Sequence, residues 1–239
     1  MGVKPVVPDL WQVSLGPVNA FLLEAGDGLT LVDTGVAGCG PKIAEAVREI
    51  GREPSDIRHI IVTHCHVDHA GSLAEIKRIT GATATMHPLD AAMVRKGEGA
   101  RPLHRTPGLA NALICRFLIG AMPTTVEPAE VEHEVGDGDT LPGGLRAIHV
   151  PGHCAGQIAL LWTRHGGVLF AADAAAHAFG LALSPMHEDL DEGRASLAKL
   201  SAFDFEVACF GHGSPIRSGA SGQFRRKWPA RRPEAAPIG

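Results

Sequence analysis

Four side chains within residues 64–69 can do metal chemistry: His64, His66, Asp68 and His69, spaced His-x-His-x-Asp-His. Neutral imidazole and carboxylate are donors that suit zinc, iron(II), manganese and similar divalent cations. With 13 histidines in 239 residues, chance would produce that order on the order of once in a thousand such chains. A surface histidine cluster is the plain alternative, and the preceding stretch speaks against it. Residues 57–62, Ile-Arg-His-Ile-Ile-Val, are short, β-branched and largely apolar, as in a buried strand. Residues 72–79, with Leu73, Ile76 and Ile79 apolar, have helical spacing. The four candidates therefore belong on a strand-to-helix loop at the carboxyl end of a strand, where α/β sheets gather their sites. Ala70 and Gly71 keep the exit of that loop small, so the backbone can pass close to an ion.

Three more ligand types stand at the ends of apolar runs. His153 follows Ala-Ile-His-Val-Pro-Gly, Asp173 follows Val-Leu-Phe-Ala-Ala, and His212 lies between Gly211 and Gly213 after Val-Ala-Cys-Phe. A single histidine after a strand is more often a hydrogen-bonded structural residue. Four recurrences of strand-then-ligand favour a metal site.

In chain order, Leu31-Val32-Asp33-Thr34-Gly35, the block from His64 to Gly71, Pro151-Gly152-His153, Asp173 and Gly211-His212-Gly213 resemble the motifs of the metallo-β-lactamase superfamily of metallohydrolases. The histidine block is highly specific, and the others come in the expected order. The resemblance implies an α/β fold: a four-layer αββα sandwich of two mixed β-sheets flanked by helices. It also implies two divalent metal ions. His64, His66 and His153 would hold one, Asp68, His69 and His212 the other, and Asp173 would bridge them. Asp33 would order the ligand loop without binding metal. Zinc is expected, and the same donors accept Fe, Mn, Co or Ni. Two departures bear on substrate. Ala172 stands before Asp173 where many relatives have glycine, and His153 is followed by Cys154-Ala155-Gly156-Gln157 in place of the usual Thr/Ser-Pro-Gly run.

The expected chemistry is hydrolysis. Two cations sharing a water lower its pKa, so that hydroxide attacks a carbonyl near neutral pH, with Asp68 orienting the nucleophile as the catalytic residue. Ester, thioester or lactone substrates come first, because retention of Asp173 resembles the glyoxalase II and lactonase branches. Neither specialised kit is evident: only 27 residues follow His212, and the chain has no tyrosine. The alternatives are β-lactam hydrolysis and an iron-dependent sulfur or oxygen redox enzyme. Gly-x-Ser-x-Gly is absent, which disfavours a serine hydrolase. No substrate-binding residue is identifiable.

The elements that must carry these groups read as one domain over residues 1–220. Apolar content of 45% excludes a disordered chain, and the formal charge of −4 gives no reason to expect nucleic-acid or membrane binding. No signal-peptide pattern or long apolar run is present, so a cytoplasmic enzyme acting on a small molecule is expected. Residues 10–33 alternate as a strand meander, residues 41–51, 88–96 and 190–200 have helical spacing, and 82–86 reads as a strand. Residues 97–128 form a helical insert whose apolar centre reads equally as a buried helix, a substrate lid or a homodimer contact. Arg101, His104 and Arg105 precede that centre, with solvent exposure the default. Residues 221–239 read as a basic helix and frayed tail. The five cysteines are odd in number and scattered, against a disulfide framework. Cys65 and Cys154 adjoin proposed ligands, and packing is the favoured reading for both. His177 and His187 follow Asp173 and are expected to be structural or exposed.

Overall fold

A computed structural model describes residues 2–116 and 123–230. The chain opens with an antiparallel meander of β1 (Val3–Val7), β2 (Leu10–Ser14), β3 (Asn19–Ala25) and β4 (Gly28–Val32). Helix α1 (Gly40–Glu49) crosses to β5 (Ile57–Ile61), parallel to β4. A helical turn α2 (Val67–Ala70) and helix α3 (Leu73–Thr80) lead to β6 (Thr83–Met86), again parallel. Helix α4 (Pro88–Lys96), a short strand β7 (His104–Arg105) and helix α5 (Leu109–Ile114) come before β8 (His133–Glu134), which completes this mixed sheet beside β6.

The second sheet holds β9 (Thr140–Leu141), β10 (Leu145–His149), β11 (Ile158–Trp162) and β12 (Val168–Phe170), each antiparallel to the one before. Short strands β13 (Ala175–Ala176), β14 (Ala182–Leu183) and β15 (Met186–His187) follow, then α6 (Leu190–Leu200). Strand β16 (Val207–Cys209) adds to the sheet parallel to β12, and α7 (Ala220–Lys227) closes the described chain.

Three apolar layers separate four layers of structure. Leu22, Leu31 and Ile60 of the first sheet pack with Ile43 and Val47 of α1 and Ile76 of α3. Phe21, Leu23 and Ile61 point the other way, onto Leu160, Trp162 and Phe170 of the second sheet. Ala159, Leu161 and Leu169 face Leu197 and Leu200 of α6 and Phe224 of α7. The period of two along each strand therefore loads both faces of both sheets, which is the αββα sandwich.

The structure adds to the sequence reading at four places. Strand β1 pairs with β2 at the sheet edge, where Pro5 forfeits no ladder bond that the sheet needs. The ligand loop is not wholly a loop, because Asp68 and His69 sit on the α2 turn. The basic helix expected after residue 220 is α7, and it buries Ala220 and Phe224 in the third apolar layer. In the insert, α5 leaves Leu109 87% and Leu113 58% exposed, against a plain buried helix. The rest of the apolar run, 117–122, and the tail at 231–239 lie outside the described residues.

Candidate metal centre

All seven candidate ligands meet at one rim of the sandwich, at the carboxyl ends of β5, β10, β12 and β16. His64, His66 and His153 bring ligand atoms within 4.8 Å of one another, as do Asp68, His69 and His212, and as do His64, His69 and Asp173. Asp173 touches both halves. Its Oδ2 lies 3.1 Å from His212 Nε2 and 3.7 Å from His153 Nε2, and its Oδ1 lies 3.5 Å from His69 Nε2.

Local structure explains the aim of each group. Asp33 sits just beyond β4 in a left-handed conformation (φ 62°). Its Oδ1 accepts from the Thr63 amide at 2.8 Å, and its Oδ2 lies 2.9 Å from His69 Nδ1. One buried carboxylate thus pins both ends of the ligand loop and turns His69 Nε2 inward. His66 has extended backbone (φ −60°, ψ 149°), so neighbouring side chains alternate. Cys65 accordingly points to the first apolar layer, with its Sγ 3.6 Å from Cys154 Sγ and 3.7 Å from Met93 Sδ. Backbone carbonyls hold two other rings, with His153 Nδ1 2.7 Å from the Met186 oxygen and His212 Nδ1 2.8 Å from that of Pro17. Ala172 turns the chain at φ 47° to deliver Asp173.

The halves differ electrostatically. Burial pushes the His64, His66 and His153 pKa values down, that of His66 to about 3, so three neutral imidazoles face inward. Around the other group carboxylates dominate. Asp173 raises His212 to about 11, and Asp173, Asp33 and Asp68 together overcome burial to raise His69. Burial favours the neutral form of Asp68, yet His69 and His212 beside it hold its pKa at about 2.

His64 Nε2, His66 Nε2, His69 Nε2 and Asp173 Oδ1 are buried with no hydrogen-bond partner. Leaving such an atom unpaired costs roughly 1–3 kcal/mol. His64 and His69 have their Nδ1 atoms occupied by Thr63 and Asp33, leaving Nε2 free, and His66 Nδ1 lies 2.9 Å from His153 Nε2; these unpaired or mutually facing donors fit divalent cations in type.

The sequence profile of the metallo-β-lactamase superfamily matches residues 13–212. The chain belongs to the metallo-β-lactamase superfamily. Its members are metal-dependent hydrolases, usually with zinc. The Bacillus subtilis protein YobT is 30% identical over 73% of this chain and 71% of its own length. An N-acyl homoserine lactonase of Bacillus thuringiensis is 26% identical over 66% of this chain and 64% of its own. Solved structures show the fold. A Cronobacter sakazakii metallo-β-lactamase carrying a HARLDQ-motif mutation superposes with TM-score 0.70 at 24% identity, covering 89% of this chain and 80% of that one. The subclass B3 enzyme BJP-1 of Bradyrhizobium japonicum gives 0.70 at 20% identity, covering 95% and 90%.

Other residues near the rim have structural partners. Arg101 pairs with Asp90 at 2.9 Å and Glu188 at 3.2 Å, so it is not a free cation for substrate. His104 and Arg105 are exposed on β7. His177 Nδ1 lies 2.8 Å from the Ser214 oxygen, and buried His187 has its Nδ1 3.0 Å from Thr106 Oγ1. Two supporting residues escaped sequence reasoning. Buried Asn19 donates to the Phe210 and Gly213 carbonyls at 3.1 and 2.8 Å, clamping the loop that carries His212. Asp90, wholly buried on α4, binds both ligand loops. The sequence signal for Asn19 was an amide opening a strand whose next four residues are apolar.

Proposed function

We propose that this protein is a two-metal hydrolase of ester-like carbonyl bonds in small molecules, with lactones and thioesters foremost. The carrying observation is the position of Asp173, within 3.7 Å of ligand atoms from both groups while its Oδ1 has no hydrogen-bond partner. A carboxylate so placed suits a bridge between two cations. His64, His66 and His153 would hold one, and Asp68, His69 and His212 the other. Divalent ions there would supply a hydroxide nucleophile at neutral pH and Lewis-acid polarisation of the scissile carbonyl.

The chain's own groups do the rest. Asp68 presents a carboxylate to the second group, with its Oδ2 3.3 Å from His212 Nε2. Its Oδ2 can therefore accept a hydrogen bond from an attacking water and fix that water's orientation. Asp33 and the Met186 and Pro17 carbonyls hold His69, His153 and His212 against rotation, so little reorganisation accompanies the reaction. The lactonase relative supports the choice of lactones.

Metal analysis of the purified protein, beside hydrolysis of a thioester, several lactones, an aryl ester, a β-lactam and a phosphodiester, tests this reading. Two metals per chain with turnover of lactones or thioesters is the expected result. One iron per chain without hydrolysis would overturn it, and β-lactam turnover alone would move the substrate class. His66→Ala should lose metal from its group and reduce turnover at least roughly hundredfold. Full metal and full activity in that variant would sink the assignment.

A further inference from the structure

Asp90 lies outside the ligand set, on α4, with no solvent exposure. Burying a carboxylate is costly unless each lone pair is used. Here all are directed at the centre's scaffolding. Asp90 Oδ2 accepts from the Cys65 amide at 3.0 Å and the Cys154 thiol at 3.0 Å. Its Oδ1 accepts from the Gly156 amide at 3.1 Å and Arg101 Nη1 at 2.9 Å. Cys65 lies between His64 and His66, and Cys154 directly follows His153. One carboxylate therefore ties together the two chain segments that carry the three-histidine group, segments 89 residues apart.

The far side of the bracket is also closed. Arg101 reaches Glu188 Oε1 at 3.2 Å, and Glu188 Oε2 accepts from the Ala155 amide at 3.0 Å. The loop after His153 is thus held at successive residues by Asp90 and Glu188, with the Arg101 guanidinium between the two carboxylates. The contacts of Asp90 stop there: it makes none to Asp68, His69 or His212 among the described residues, and Asp33 serves His69 instead.

We infer that Asp90 is a positioning residue for the three-histidine half of the centre, holding the segments that carry His66 and His153 together, whereas Asp33 reaches both halves, His69 directly and His64 through the Thr63 hydroxyl. This rests on the two-metal reading above. In Asp90→Asn one oxygen becomes an NH2 group. Whichever way the amide turns, two donors that now meet an acceptor would face another donor. Outer partners of metal ligands typically change metal affinity ten- to hundredfold.

The test uses the full-length protein, stripped of metal and titrated with cobalt(II), with uptake followed by visible absorption and metal analysis. Asp90→Asn should bind the cation of the three-histidine group about ten- to hundredfold more weakly and the second cation within about twofold of wild type. Asp33→Asn, which touches His69 directly and His64 through the Thr63 hydroxyl, should weaken both cations. Gly156→Ala is a second route to the same end, because a Cβ there would come 2.4 Å from Asp90 Oδ1 and displace the carboxylate without altering its charge. Leu200→Ala, in the remote layer under α6, controls for general destabilisation: it should lower the melting temperature without redistributing metal. Wild-type affinities for both cations in Asp90→Asn and Gly156→Ala would overturn the role of Asp90, as would equal weakening of both cations. Uptake of no cobalt by wild type would overturn the two-metal reading and this inference together.

Discussion

The candidate centre is assembled in two ways. On the first sheet one stretch after β5 supplies His64, His66, Asp68 and His69, and it is braced from within by side chains, Asp33 at both ends and Asp90 at its middle. On the second sheet His153, Asp173 and His212 arrive singly after β10, β12 and β16; backbone carbonyls at Met186 and Pro17 orient the two rings, and a left-handed turn at Ala172 delivers Asp173. A contiguous loop needs buried polar braces to stop it collapsing. Isolated strand ends inherit their approach from sheet register, and distant side chains then brace two of the three, Asp90 and Glu188 after His153 and Asn19 beside His212.

Two glycines break that comparison most sharply. A Cβ at Gly211 would lie 2.2 Å from Asp173 Oδ1 and 2.6 Å from His69 Cε1, directly against candidate ligands. A Cβ at Gly71 would lie 2.2 Å from the Val67 oxygen and 2.7 Å from the Ala37 amide, against backbone alone. Gly211→Ala should therefore displace ligands by about an ångström and cost roughly hundredfold or more in turnover, with loss of bound metal. Gly71→Ala should chiefly lower the melting temperature. Equal metal loss in the two variants, measured at matched stability, would contradict the division.

Asn19→Ala is the next test. It removes two donors and leaves the Phe210 and Gly213 carbonyls, on either side of His212, without their partner. About 1–3 kcal/mol of stability should go, near 2–10 °C in melting temperature for a chain of this size. Metal should weaken at the Asp68, His69 and His212 group and hold at the three-histidine group. The opposite pattern in metal titration would show that the His212 loop is positioned by something else.

What the sequence could reveal follows the same line. The contiguous ligand block and its flanking strand and helix were readable because spacing alone encodes them. Helices over 88–96 and 190–200 were readable too, from helical spacing. Asp90 was not. In His-Pro-Leu-Asp it has the look of an acidic residue favouring a helix N-terminus, and its partners Cys65 and Cys154 are 25 and 64 residues away. Strand β1 was hidden by Lys4 and Pro5, which blur its alternation at a sheet edge. Helix α7 was readable as a basic helix, but Arg225, Arg226 and Lys227 masked the buried stripe that Ala220 and Phe224, four apart, form on its other side.

The smallest expected effect concerns the turn that delivers Asp173. Asp33 and Ala172 both adopt positive φ, at 62° and 47°. Asp33 repays the strain with side-chain hydrogen bonds, whereas Ala172 has only a methyl group. Left-handed backbone costs a non-glycine residue roughly 1–2 kcal/mol, and glycine loses about 0.5–1 kcal/mol through its freer unfolded chain. Ala172→Gly should therefore leave stability nearly unchanged or slightly raised, with a melting shift within about 3 °C and turnover within about twofold. A fall of more than about 5 °C would mean that the buried methyl group of Ala172 contributes packing that outweighs its strain. Asp173 would then depend on side-chain support as His153 and His212 do through Asp90, Glu188 and Asn19, and no ligand of the centre would be placed by backbone alone.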